Sequence, residues 1–147
     1  MSEDMARRGL QPDVVLVSSA RRTLQTLEAL QPLDGPPIVT VMDELYLAPW
    51  QVMLSVLHRV PDTARSVLLI GHNPGMHELA LNLLPPGQPP SLMLTRLRDG
   101  YPTAALAEYN IAQPWRLLGA GGARLASYVQ PRDLPGADAF SGAEEGV

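Results

Sequence analysis

The stretch from Val67 to Gly75 constrains the fold more than any other part of the chain. Four consecutive apolar residues, Val67-Leu68-Leu69-Ile70, run directly into Gly71-His72-Asn73-Pro74-Gly75. A short continuous apolar run bounded by turn residues reads as a strand covered on both faces, as in a parallel sheet. The turn then sets an imidazole at the carboxyl end of that strand. A second junction repeats the arrangement: Val14-Val15-Leu16-Val17 leads into Ser18-Ser19-Ala20-Arg21-Arg22-Thr23-Leu24-Gln25-Thr26, with guanidinium groups and two hydroxyls at a helix start. Open α/β sheets bind ligands outside the carboxyl ends of their strands, and helix N-termini favour anions through free N–H groups and the helix dipole. Together the two junctions predict a phosphate site.

The remaining pattern alternates in the same way. Ser18 or Ser19 can cap a helix in which Leu24, Leu27 and Leu30 share one side, and which ends before Pro32. Ile38 to Met42 reads as a strand leading to Asp43-Glu44-Leu45-Tyr46. Pro49 suits the first turn of a helix carrying Trp50, Met53, Leu54 and Leu57 at i, i+3, i+4 and i+7, and Pro61 stops it. After the His72 turn, Leu79, Ala80 and Leu83 predict a helix to about Leu84. Pro85 to Pro90 then forms a surface connection, Thr103 to Ile111 a strand, and Leu125 to Val129, after the turn at Gly119 to Gly122, an edge strand or short helix. Strands alternating with helices predict a three-layer α/β/α domain with a mostly parallel sheet.

Composition narrows the classes of function. The chain is the size of one domain, assigned to residues 1–134, while 135–147, rich in Gly, Ala and acidic residues, is expected to form a flexible tail. A net charge of −4 argues against a general nucleic-acid or anionic-membrane binder, so an anion must be caught locally. The absence of cysteine excludes disulfides, thiolate metal sites and a cysteine nucleophile. With no apolar run of membrane-spanning length and a polar start, Met1-Ser2-Glu3-Asp4, a cytoplasmic location is the default. The three histidines are scattered without carboxylates in ligand spacing, so no metal site is expected.

Pro12 through Thr26, Asp43-Glu44-Leu45-Tyr46, Ile70-Gly71-His72-Asn73-Pro74-Gly75, Pro102-Thr103-Ala104-Ala105-Leu106-Ala107, and Trp115 through Pro131-Arg132-Asp133-Leu134 match, in order and spacing, the histidine phosphatase superfamily, which has a phosphoglycerate mutase-like fold. The chain resembles its small SixA-type phosphohistidine phosphatases from about residue 5 to residue 134. That resemblance implies a phosphatase acting through a phosphohistidine intermediate, on a phosphorylated protein histidine or a small phosphoester, without metal or organic cofactor. It implies that Arg22 and His72 hold the phosphoryl oxygens, and that Glu44, with Asp43 as its substitute, occupies the region of a general acid. Glu44 reads equally as a solvated or capping carboxylate. Ser18, Ser19, Asn73 and Thr103 can each add a hydrogen bond to phosphate, although turns and caps use the same residues structurally. His58 and His77 read as helix-side residues.

The family's Arg-His-Gly motif, whose histidine is the nucleophile, does not occur in this sequence. The segment Ser2 to Gly9 resembles the family's first helix, which places the missing strand upstream of Met1 and makes the domain incomplete at its N-terminus. Two expectations follow: an open gap, an exposed apolar edge or replacement pairing by another chain beside the strand that ends at His72, and Arg22 approaching His72 across one cleft. The alternative is a non-catalytic phosphate-binding or interaction module.

Overall fold

The computed structural model describes residues 11–30, 37–102 and 105–130. The helix expected at Ser2 to Gly9, Thr103, and the tail at 135–147 lie outside the described residues. Within them, β1 (Val14–Ser18), α1 (Arg21–Leu30), β2 (Ile38–Met42), α2 (Trp50–His58), β3 (Val67–Ile70), α3 (Gly75–Asn82), α4 (Leu92–Asp99), β4 (Leu106–Ile111) and β5 (Ala123–Val129) follow in chain order. Short 3₁₀ turns cover Asp43–Leu45 and Trp115–Leu117.

β1 lies between β2 and β3, and both pairings are parallel. Ser18, Met42 and Ile70 therefore finish at the same edge of this sheet. Its two faces follow from the period of two in a strand. Val15 and Val17 point to one side and pack with Ile70, Leu24 and Leu27, whereas Val14 and Leu16 join Leu45, Met53 and Leu57 on the other. Each such fully buried aliphatic side chain stabilises the fold by about 1.5–3 kcal/mol relative to exposure. Asp13 ties the other end of the sheet, its carboxylate accepting from the Arg65 N–H at 2.7 Å.

β4 and β5 form a separate antiparallel pair with an irregularity between Glu108 and Tyr109. Leu125 and Tyr128 bury one side of β5, which resolves the expectation of edge strand or short helix in favour of a strand. Tyr109 joins this pair to α3 by donating its hydroxyl to the Ala80 carbonyl, and the Trp115 indole N–H donates to the Ala64 carbonyl at 2.8 Å. No buried side-chain polar atom among the described residues lacks a partner.

α4 was not foreseen. The proline-rich connection continues into a helix started by Ser91, whose hydroxyl accepts from the Leu94 N–H at 3.0 Å. Leu94 and Leu97 bury against the core and Arg96 and Arg98 sit in the last turn, where cations favour a helix dipole.

Among the described residues β3 pairs only with β1, and β4 only with β5. Both line one cavity of about 1120 Å³, also lined by α1 residues such as Gln25 and Ala29 and by α3 residues such as Leu79 and Ala80. Because of this slot β3, expected to be covered on both faces, has only Ile70 fully buried.

Candidate active site

The carboxyl edge of β1 and β3 is where the chain changes direction in the sheet, since β2 was added on one side of β1 and β3 on the other. A crevice is expected at such a switch point. Ser18 ends β1 completely buried. Its hydroxyl accepts from the Ala20 N–H at 3.2 Å, the local bond of a serine at a helix start. Thr23, also fully buried, donates its hydroxyl to the Ser18 and Ala20 carbonyls, each at 2.8 Å, and so pins the turn that launches α1. Arg22 leaves the exposed first turn of α1 and lines the slot.

His72 follows β3 and is only 7% exposed. Its Nε2 lies 2.8 Å from the Ser18 hydroxyl. The ring accepts that hydroxyl proton when Nε2 is bare and donates to the oxygen when Nε2 is protonated. Burial first, and the Arg22 guanidinium second, push the His72 imidazole below its ordinary pKa. An oxyanion between them would neutralise the like-charge penalty and favour the imidazolium, a directed donor to phosphoryl oxygens.

The remaining candidates divide. The Ser19 backbone N–H donates to the Met42 carbonyl at 3.3 Å, tying this loop to the end of β2. Asn73 is engaged structurally: its amide donates to the Tyr101 carbonyl at 2.6 Å, and its oxygen accepts from the His77 N–H at 3.1 Å. The Glu44 carboxylate is paired with Arg59 at 2.5 Å, both side chains partly exposed. His58 and His77 donate ring N–H groups to the carbonyls of Leu118 and Leu97, at 2.5 and 2.7 Å, in agreement with their reading as helix-side residues.

Two positioning features escaped sequence reasoning. A side chain at Gly75 would bring its Cβ to 2.1 Å from the Ala48 carbonyl oxygen, so glycine lets the loop after β2 lie against the start of α3. That loop sets Tyr46 edge-on to His72, with ring centroids 5.6 Å apart. Gly75 and Tyr46 were visible in the sequence as part of the motifs; their roles depend on tertiary contacts.

Among the described residues no cluster of three metal-ligating side chains occurs, and no helix is long and apolar enough to cross a membrane.

No family sequence profile matches the chain. The uncharacterized protein Rv1276c of Mycobacterium tuberculosis is 30% identical over 120 residues, which cover 82% of this chain and 74% of that protein. Two proteins of solved structure, assigned as phosphohistidine phosphatase SixA, are similar in structure. That of Nakamurella multipartitia superposes with a TM-score of 0.74 at 29% identity, covering 86% of this chain and 76% of its own. That of Agrobacterium tumefaciens gives 0.68 at 28% identity, covering 88% and 75%. The protein histidine phosphatase SixA solved with tungstate shares the fold, with a TM-score of 0.69 at 23% identity and coverage of 91% and 78%. Matching motifs, fold and relatives agree: the chain belongs to the histidine phosphatase superfamily and has the SixA-type fold.

Proposed function

We propose that the crevice formed by Ser18, Arg22 and His72 binds the phosphoryl group of a phosphorylated protein histidine or small phosphoester, and that the complete domain hydrolyses it. The observation that supports this reading most is the anchoring of His72 on the Ser18 hydroxyl at 2.8 Å at the switch point, with Arg22 in the first turn of the helix that follows Ser18. Arg22 would supply planar donors that stay charged. His72 would supply a second donor aimed at the oxygens where charge collects in transfer. Ser19 and Thr103 remain proposed auxiliary hydrogen-bond donors, with Asn73 acting through the backbone it holds.

The nucleophile is supplied by a strand from outside the described residues. The slot between β3 and β4 supports this: among the described residues β3 pairs only with β1 and β4 only with β5, and the cavity between them is lined by residues of both strands and by Arg22. A strand parallel to β3 would end beside His72 and present an Arg-His-Gly turn there. Its histidine nitrogen attacks phosphorus, the P–N or P–O bond to the leaving group breaks, and the leaving group takes up a proton. Water then attacks the phosphohistidine, releasing inorganic phosphate and the free imidazole. A phosphoramidate nitrogen leaves readily once protonated, so Glu44, held by Arg59, is assigned to the loop's geometry in preference to proton donation. No metal or cofactor is required by this route, and we place the protein in the cytoplasm.

The absence of Arg-His-Gly from the 147 residues favours a second reading, a phosphate-binding module without catalysis. Phosphate release from a phosphohistidine protein separates the two. The chain alone should show at most trace activity, and a version carrying the upstream strand should gain orders of magnitude. Full activity of the chain alone would place the nucleophile elsewhere, and no gain with the strand present would favour the module.

A further inference from the structure

Tyr46 and Leu47 are large apolar side chains held in solvent beside a buried imidazole. Tyr46 is 57% exposed and Leu47 64%. Leu47 also has a φ of +49°, a conformation that a branched side chain rarely adopts and that persists only where the surroundings impose it. Here they do. Leu45 and Ala48 on either side are buried, the Tyr46 N–H donates to the Asp43 carbonyl at 3.0 Å, and Ala48 rests where Gly75 has no side chain. The loop is a rigid apolar ledge, with Tyr46 meeting His72 edge to face at 65°.

We propose that Tyr46 is a specificity residue against which the planar aromatic or heteroaromatic leaving group of the substrate packs. The inference rests on reading the crevice as a phosphoryl site. A phosphoryl group held by His72 would bring its leaving group near Tyr46, whose ring centroid lies 5.6 Å from that of His72, and rings attract over about 4.5–7 Å. The T-shaped contact occupies only part of the Tyr46 ring and leaves the remainder exposed for a third ring. An imidazole leaving group fits this ledge; an alkyl one gains little from it.

The test compares phenylphosphonate with methylphosphonate as non-hydrolysable ligands, with tungstate as the bare oxyanion. The wild-type chain should bind the phenyl compound about fivefold tighter than the methyl one. Tyr46→Ala should bring that ratio to about one, and Tyr46→Phe should retain it. A ratio near one in wild type, or a preference that survives Tyr46→Ala, overturns the proposal. If tungstate binds while no aryl preference appears, only the role of Tyr46 fails. If no oxyanion binds, the reading of the crevice fails with it.

Discussion

The two flanks of β3 are built to opposite standards. At its carboxyl end the described contacts are tight: Ser18 bonds His72, Thr23 bonds the β1 turn, and Ala48 packs on Gly75. Along its other edge, which has no strand partner among the described residues, lies a cavity of about 1120 Å³. Native interiors pack densely and rarely leave strand edges unpaired beside voids of that size. The contrast teaches that the proposed oxyanion-binding half of this site is organised by contacts that do not involve the slot. Binding and turnover should therefore respond to different changes.

The largest effect should fall on turnover. In a strand-complete protein, Arg22→Ala should lower phosphate release by about 10²–10³-fold, the usual cost of removing a donor to transition-state charge. The ratio of rates on one phosphohistidine substrate measures it. An equal loss from substitutions in the slot alone would blur the division between the two flanks.

Stability should next expose the locked flank. Gly75→Ala drives a methyl group into the Ala48 carbonyl and should cost about 1–3 kcal/mol, seen as a lower urea midpoint. A matching substitution at Gly87, where no atom lies within 4 Å, should leave that midpoint nearly unchanged.

A smaller effect concerns pH. Folding holds His72 below its ordinary pKa, so as pH falls below the unfolded value of about 6.5 the unfolded chain binds more protons than the folded one. The stability difference is fully present above that value and is lost as pH falls through the folded pKa. The slope cannot exceed about 1.4 kcal/mol per pH unit for one proton. Unfolding curves of His72→Asn should show a shallower acid-side decline than wild type.

The smallest effect belongs to the Glu44–Arg59 pair. Both partners are partly exposed, and Glu44→Gln should change stability by about 0.2–1 kcal/mol. In the strand-complete protein it should leave the pH profile of turnover in place, whereas a shifted acid limb would restore Glu44 as a proton donor.

Much of this was legible in the sequence, for physical reasons. The apolar run Val14–Val17 marks a parallel strand covered on both faces, Val67–Ile70 marks a parallel strand although only Ile70 is fully buried, and their glycine- and serine-rich exits mark the candidate crevice. Arg22 and His72 stood out through motifs at those exits. α4 did not, because the prolines before it masked a helix whose only local sign was Ser91 at its cap. Tyr46 read as an ordinary aromatic residue, and only the approach of its loop to His72 gives it a role. Gly75 likewise looks like a turn residue until Ala48 is placed against it.

The central claim is that Arg22 and His72 form one oxyanion site, and the imidazole of His72 reports on it directly. The chain has three histidines, so their ring signals can be assigned and followed by NMR through a pH titration with and without tungstate. Tungstate should shift the His72 signals selectively and raise its pKa, leave His58 and His77 on their carbonyl partners, and lose most of its effect in Arg22→Ala. A His72 titration indifferent to tungstate would contradict the account.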